Sequence, residues 1–171
     1  MPAVYVCPLS RLGETVQQSG ASHVVTLINP GTPVQRPASV PEDRHLFIGV
    51  NDISDPIDGM ILPGQDHLDT YLDFVRSWDR EHPMVVHCWA GVSRSTAGAF
   101  TALCMLRPDL PETEIAARLR ARSPEATPNA RLVALADERL DRGGRMIEAV
   151  RQIGRGANAF EGTVFSLAID E

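Results

Sequence analysis

The chain has 171 residues, 43% of them hydrophobic, enough to bury the core of one compact domain. Its formal charge of −6 argues against a nucleic-acid or anionic-membrane binder that works by bulk charge, and no stretch could span a bilayer. All 16 basic residues are arginine, and the three scattered cysteines, Cys7, Cys88 and Cys104, suggest neither a disulfide framework nor a zinc site.

The N-terminus has no basic segment leading into a long apolar run, so a signal peptide is not expected and the chain reads as cytoplasmic, where a thiol stays reduced. Ala3 to Cys7 is a predicted strand, broken by Pro8. Ser10 is placed to cap a helix that runs to Gln18 and is closed by Gly20. The apolar run His23 to Asn29 predicts a strand covered on both faces. Residues 30–41 hold four prolines and read as a surface loop, followed by a third strand over Arg44 to Val50. A polar loop, Asn51 to Gly59, leaves the end of that strand. From Asp66 to Arg80 the apolar Leu68, Tyr71, Leu72, Val75 and Trp78 fall at helical spacing, Tyr71 and Trp78 read as core, and Pro83 bars continuation. His67 and His82 stand alone, with nothing to pair them as metal ligands.

Met84 to Val86 predicts a short strand ending at His87. Ser95 to Leu106 is apolar on nearly every side and predicts a centrally buried helix, in which Cys104 is a small core residue, as is Cys7 in the first strand. Asp109 with Glu112 reads as a capping pair for a helix carrying Ile115, Ala116 and Leu119. A turn over Ser123 to Asn129 ends it. Leu132, Leu135, Ala136 and Leu140 form the next apolar stripe, stopped by Gly143-Gly144, and Met146 to Ile153 reads as a further helix. In the tail from Gly154 to Glu171, the run Thr163 to Ile169 reads either as an added strand or as a segment docked on the core.

Between the strand at His87 and the next helix lies His87-Cys88-Trp89-Ala90-Gly91-Val92-Ser93-Arg94-Ser95-Thr96. Such a loop can turn its backbone N–H groups toward one spot at the positive end of a helix dipole, which makes an anion site. A cysteine among converging N–H dipoles and a guanidinium favours thiolate, so Cys88 is the candidate nucleophile. Arg94, six positions on, carries a planar fork matched to two phosphoryl oxygens. Gly91 permits a tight turn through positive φ. Ser95 can offer its hydroxyl to the sulfur as a leaving group, and His87 orients the loop instead of acting as a base. Trp89, Ala90, Val92 and Ser93 complete the lining. Expelling an oxygen from phosphorus also needs a proton donor, worth about 100- to 10,000-fold. The loop after the third strand offers Asp52, Asp55 and Asp58, at a strand carboxyl end where ligands of open sheets bind.

The run His-Cys-x-x-Gly-x-x-Arg-Ser over His87 to Ser95 resembles the signature of the cysteine-dependent protein tyrosine phosphatases, closest to a compact, dual-specificity-like, bacterial-type member. Arg122, Pro124 and Pro128-Asn129 resemble that family's approach to its last core helix, so the likeness covers Val24 to Leu140. It implies an α/β fold with a short, mostly parallel central sheet of about four to five strands and helices on both faces. It implies one domain over residues 1–171, with 154–171 an extension of unassigned role. It further implies phosphomonoester hydrolysis through a phosphocysteine, with phosphate or sulfate bound in the loop and no cofactor or metal. Asp52 matches the family's general acid best, because it follows its strand directly; Asp55 is the alternative and Asp58 trails. The expected partner is a phosphorylated protein or a small phosphomonoester, with no nucleic acid and no membrane. Phosphotyrosine is the expected substrate, with phosphoserine and phosphothreonine beside it, because the lining is uncharged and no lysine marks a phosphoinositide site. A phosphoinositide or RNA 5′-phosphate phosphatase, a rhodanese-type sulfurtransferase and a phospho-binding module remain as alternatives. Cys7 or Cys104 could serve a regulatory disulfide with Cys88.

Overall fold

A computed structural model describes residues 1–171. Five strands form one sheet: β1 (Ala3–Pro8), β2 (His23–Ile28), β3 (His45–Gly49), β4 (Met84–Cys88) and β5 (Phe165–Ala168). Their spatial order is β3-β2-β4-β1-β5. The first four are parallel, and β5 adds antiparallel to the free edge of β1, pairing Val6 with Phe165 and Ala3 with Ala168. The six helices are α1 (Leu12–Ser19), α2 (Gln65–Ser77), α3 (Arg94–Leu106), α4 (Glu112–Arg122), α5 (Ala130–Arg139) and α6 (Arg145–Ile153).

Helices cover both faces, as expected of a mostly parallel sheet. On one face α1 sets Leu12 and Val16 against Cys7, Val24 and Val85, and Val40 from the proline-rich loop closes the cluster. The larger core lies on the other face, where Val6, Val25, Leu27, Met84 and Val86 meet Phe100 and Leu103 of α3, Leu72 of α2 and Ile115 of α4. β2 has neighbours on both sides and both faces, so all six of its residues are buried and its apolar run needs no alternation. α3 is buried from Arg94 through Cys104 for the same reason: it runs beneath the sheet with α4 and α5 against its outer side. Burying Phe100 alone contributes about 2 kcal/mol or more.

Several local expectations are corrected. Ser10 does not cap α1; residues 9–11 form a 3-10 turn, Arg11 is the cap position, and the Ser10 hydroxyl donates to Glu161 at 2.8 Å. α2 stops at Ser77 instead of Arg80, because the Trp78 indole turns back to donate to His82 O at 2.9 Å. Asp109 and Glu112 are not a capping pair: Asp109 takes Arg107 at 2.8 Å, while Glu112 is buried and receives Arg142 and Arg145. α6 owes its start to a carboxylate the sequence reading passed over. Asp137 accepts from the N–H groups of Gly144 (2.7 Å) and Met146 (2.8 Å), satisfying donors that a helix end leaves orphaned. Of the two tail options, Phe165–Ala168 takes the strand. No helix is long and apolar enough to cross a membrane.

Candidate functional site

β4 ends at Cys88 and α3 begins at Arg94, so residues 89–93 must turn within a single loop. Four carbonyls of that loop are fastened outward by the surrounding chain. Trp89 O accepts from Leu9 N–H, Ala90 O from Gly162 N–H at 2.8 Å, Val92 O from Thr127 N–H at 2.9 Å, and Ser93 O from Ala97 and Asn129 N–H. A trans peptide points its N–H opposite to its C=O, so the amides of Ala90, Gly91, Ser93 and Arg94 face the other way, into the loop. The Gly91 amide shows the result, donating to Cys88 Sγ at 3.3 Å. The amides of Ala90, Ser93 and Arg94 donate to no protein atom. Gly91 sits at φ 71°, and a Cβ there would fall 2.8 Å from the Cys7–Pro8 backbone, so the turn admits no side chain.

Within this cup Cys88 is buried, and its sulfur meets the Ser95 hydroxyl at 3.1 Å. Arg94 is only 6% exposed. Its Nη1 donates to Asn29 Oδ1 (2.6 Å) and to Val50 O (2.9 Å), groups that follow β2 and β3 directly. Its Nε is buried with no partner, and Nη2 donates to no protein atom. Half of the fork is thus held by the scaffold, and the Nε–Nη2 edge has no protein partner.

His87 lies beneath the loop, fully buried, with Nδ1 3.2 Å from Cys88 O and Nε2 2.7 Å from Thr26 Oγ1. A carbonyl can only accept, so Nδ1 carries the proton, Nε2 accepts from the Thr26 hydroxyl, and that oxygen accepts in turn from His45 Nε2 at 2.8 Å. Burial pushes the His87 pKa down to about 4, which keeps the ring neutral.

Of the three aspartates, only Asp52 lines the mouth of the cup, with Asn29, Trp89 and Arg94. Its Oδ1 accepts from Ser93 Oγ (2.6 Å) and from Asn129 Nδ2 (2.9 Å), while Oδ2 has no partner. All three are exposed, but Asp55 and Asp58 accept no side-chain hydrogen bond and do not line the mouth. Trp89, 53% exposed, stands at the rim and not in the core. Cys7 and Cys104 sit in the two separate hydrophobic clusters, both as free thiols, and burial pushes each up to about 12. No three or more His, Cys, Asp or Glu side chains are grouped as a metal site would need.

Sequence reasoning passed over Asn29, Val50 O, Thr26 and Gly162, whose contacts with the loop arise from chain separations of 61 to 72 residues or from a backbone carbonyl. Asn129 was visible as part of a Pro-Asn pair, but not its reach to Asp52. It also caps α5 by accepting from Leu132 N–H at 3.0 Å.

No protein-family model and no curated protein matches the chain. Solved structures do. DUSP15 is 18% identical with a TM-score of 0.64, covering 90% of this chain and 91% of its own. The Cydia pomonella PTP-2 phosphatase is 20% identical with a TM-score of 0.61, covering 79% and 84%. A human tyrosine phosphatase-like serine/threonine/tyrosine-interacting protein is 17% identical with a TM-score of 0.63, covering 82% and 92%. The chain therefore has the α/β fold of the tyrosine and dual-specificity phosphatases, with a five-stranded, mostly parallel sheet.

Proposed function

We propose that this protein is a cysteine-dependent phosphatase that hydrolyses phosphotyrosine, and phosphoserine or phosphothreonine as well, through a phosphocysteine. The single phosphatase domain spans residues 1–171, tail included. The observation that carries the reading is the pairing of a buried thiol with a buried guanidinium whose free edge has no protein partner, under amides that donate to nothing else. A dianionic phosphoryl group supplies the acceptors those donors lack.

The phosphoryl oxygens dock on the loop amides and on the Nε–Nη2 edge of Arg94. The Cys88 thiolate attacks phosphorus in line, forming the S–P bond as the ester P–O bond breaks, and Asp52 delivers a proton from Oδ2 to the departing oxygen. Water then attacks the phosphocysteine and gives its proton to Asp52. The sulfur leaves as thiolate, with the Ser95 hydroxyl 3.1 Å away to donate to it. Trp89 at the rim offers an aromatic face to the substrate side chain.

The test is turnover of an aryl phosphate. Cys88→Ser should lower kcat by ~1,000-fold or more while phosphate binding persists, and Arg94→Lys should weaken both, since an ammonium cannot supply paired contacts. Turnover that survives Cys88→Ser would rule the reading out.

A further inference from the structure

The tail after α6 takes no part in the reaction above, yet one of its residues meets the Cys88 loop backbone to backbone. Gly162 N–H donates to Ala90 O at 2.8 Å. That carbonyl and the Gly91 N–H belong to one trans peptide, and the Gly91 N–H donates to Cys88 Sγ at 3.3 Å. Tail N–H, loop peptide and sulfur are thus joined in one hydrogen-bonded chain. Of the four loop carbonyls fastened outward, Ala90 O is the one whose peptide ends on the sulfur. An amide that accepts at its oxygen is polarised and donates more strongly at its nitrogen.

Gly162 is held from both directions along the chain. Glu161 Oε1 accepts from Ser10 Oγ at 2.8 Å, Thr163 Oγ1 donates to Glu125 Oε1 at 2.9 Å, and Phe165 pairs with Val6 in the sheet. Gly162 lies outside the left-handed region, so space and not backbone freedom calls for a glycine. A Cβ there would fall 2.8 Å from Gly91 O, 3.3 Å from Gly91 C and 3.2 Å from Val92 Cγ2. The first two are backbone atoms, which give way only if the loop shifts.

We propose that Gly162 is a positioning residue for Cys88: its N–H holds the Ala90–Gly91 peptide in the orientation that aims the Gly91 amide at the sulfur. The tail is then a working part of the site. For its bearing on turnover the proposal rests on the phosphatase reading. An N–H aimed at sulfur stabilises a thiolate far more than a thiol, so releasing the peptide moves the balance toward the thiol.

The experiment follows alkylation of Cys88 by iodoacetamide as a function of pH, with the adduct located by mass spectrometry, beside turnover of an aryl phosphate in the same buffers. Cys7 and Cys104 are buried in the two hydrophobic clusters, away from the reagent. Two changes are compared with the wild type. Gly162→Ala pushes a methyl group against the Gly91 backbone. Glycolic acid in place of Gly162, introduced with a chemically acylated suppressor tRNA, turns the amide into an ester and removes the N–H while adding no side chain. Both should move the alkylation profile to higher pH by about half to one unit and, on its acid limb, lower kcat/KM about three- to ten-fold. Read well below each melting temperature, a loss of global stability alone moves neither quantity. If Gly162→Ala does not fold, the ester decides alone. An unmoved profile or an unmoved kcat/KM in the ester variant would overturn the proposal, even with a shift in Gly162→Ala, because the hydrogen bond would then not be what holds the peptide. A wild type inert toward the aryl phosphate would remove the phosphatase reading, while the alkylation profiles would still decide whether Gly162 positions the sulfur.

Discussion

Arg94 donates through Nη1 to Asn29 and Val50 and keeps Nε buried without an acceptor. A buried donor left unmet costs about 1–3 kcal/mol, so an oxyanion that meets it gains more than the same contact would at the surface. Asp52 is held in a comparable way, one oxygen bound by Ser93 and Asn129 and the other left open. If Oδ2 delivers the proton, Asp52→Asn should cut turnover of esters with poor leaving groups by about 100- to 10,000-fold and that of activated aryl phosphates far less. Asn129→Ala should show a weaker form of the same dependence, together with about 1 kcal/mol of stability lost with the α5 cap. A leaving-group series over these variants is the measurement. The same signature in Asp55→Asn instead would move the acid to a residue that does not line the mouth of the cup.

The elements differ in how far local pattern determined them. β2 and α3 were legible because both are mostly apolar with no polar face, which burial on all sides explains, and both lie in the interior. The strand–loop–helix around Cys88 was legible because a short apolar run, a small polar turn with Gly91 and a second apolar run follow one another directly. Capping was the weak point. Ser10 and Asp109 look like caps by type and spacing, yet Ser10 is drawn off by Glu161 and Asp109 by Arg107, and a side chain with a nearby competitor is not decided by local preference. The true caps are Asn129, which adjoins α5 and accepts from Leu132 three residues on, and Asp137, which reaches α6 from the end of the helix before it. The tail was ambiguous for a related reason. Four residues of strand are too short to declare themselves, and β5 exists because β1 presents an open edge. Its pairing brings Gly162 onto the Cys88 loop, a contact 72 residues from Ala90 that no motif encodes.

At the scale of the whole molecule, the charge balance and the buried histidines set the response to acid. His87 is held neutral, its pKa pushed by burial from the ordinary 6.5 to about 4, and burial lowers His23 and His45 in the same direction. Between those two values the unfolded chain binds the proton and the folded chain does not, so stability falls as pH drops from about 6.5 toward 4. For His87 alone the loss between pH 7 and pH 5 is about 2 kcal/mol. Urea midpoints at the two pH values should differ accordingly; a flat profile would mean that His87 gains a proton in the fold and no longer accepts from Thr26. All of the chemistry proposed for this fold passes through one covalent bond, between the Cys88 sulfur and phosphorus. The most direct test is to quench the Asp52→Asn variant in acid during turnover of an activated aryl phosphate and map the phosphoryl group by mass spectrometry of its peptides. The account predicts a phosphoryl adduct on the peptide carrying Cys88 and on no other; turnover with the phosphoryl group on a different side chain, or with no adduct at any quench time, would contradict it.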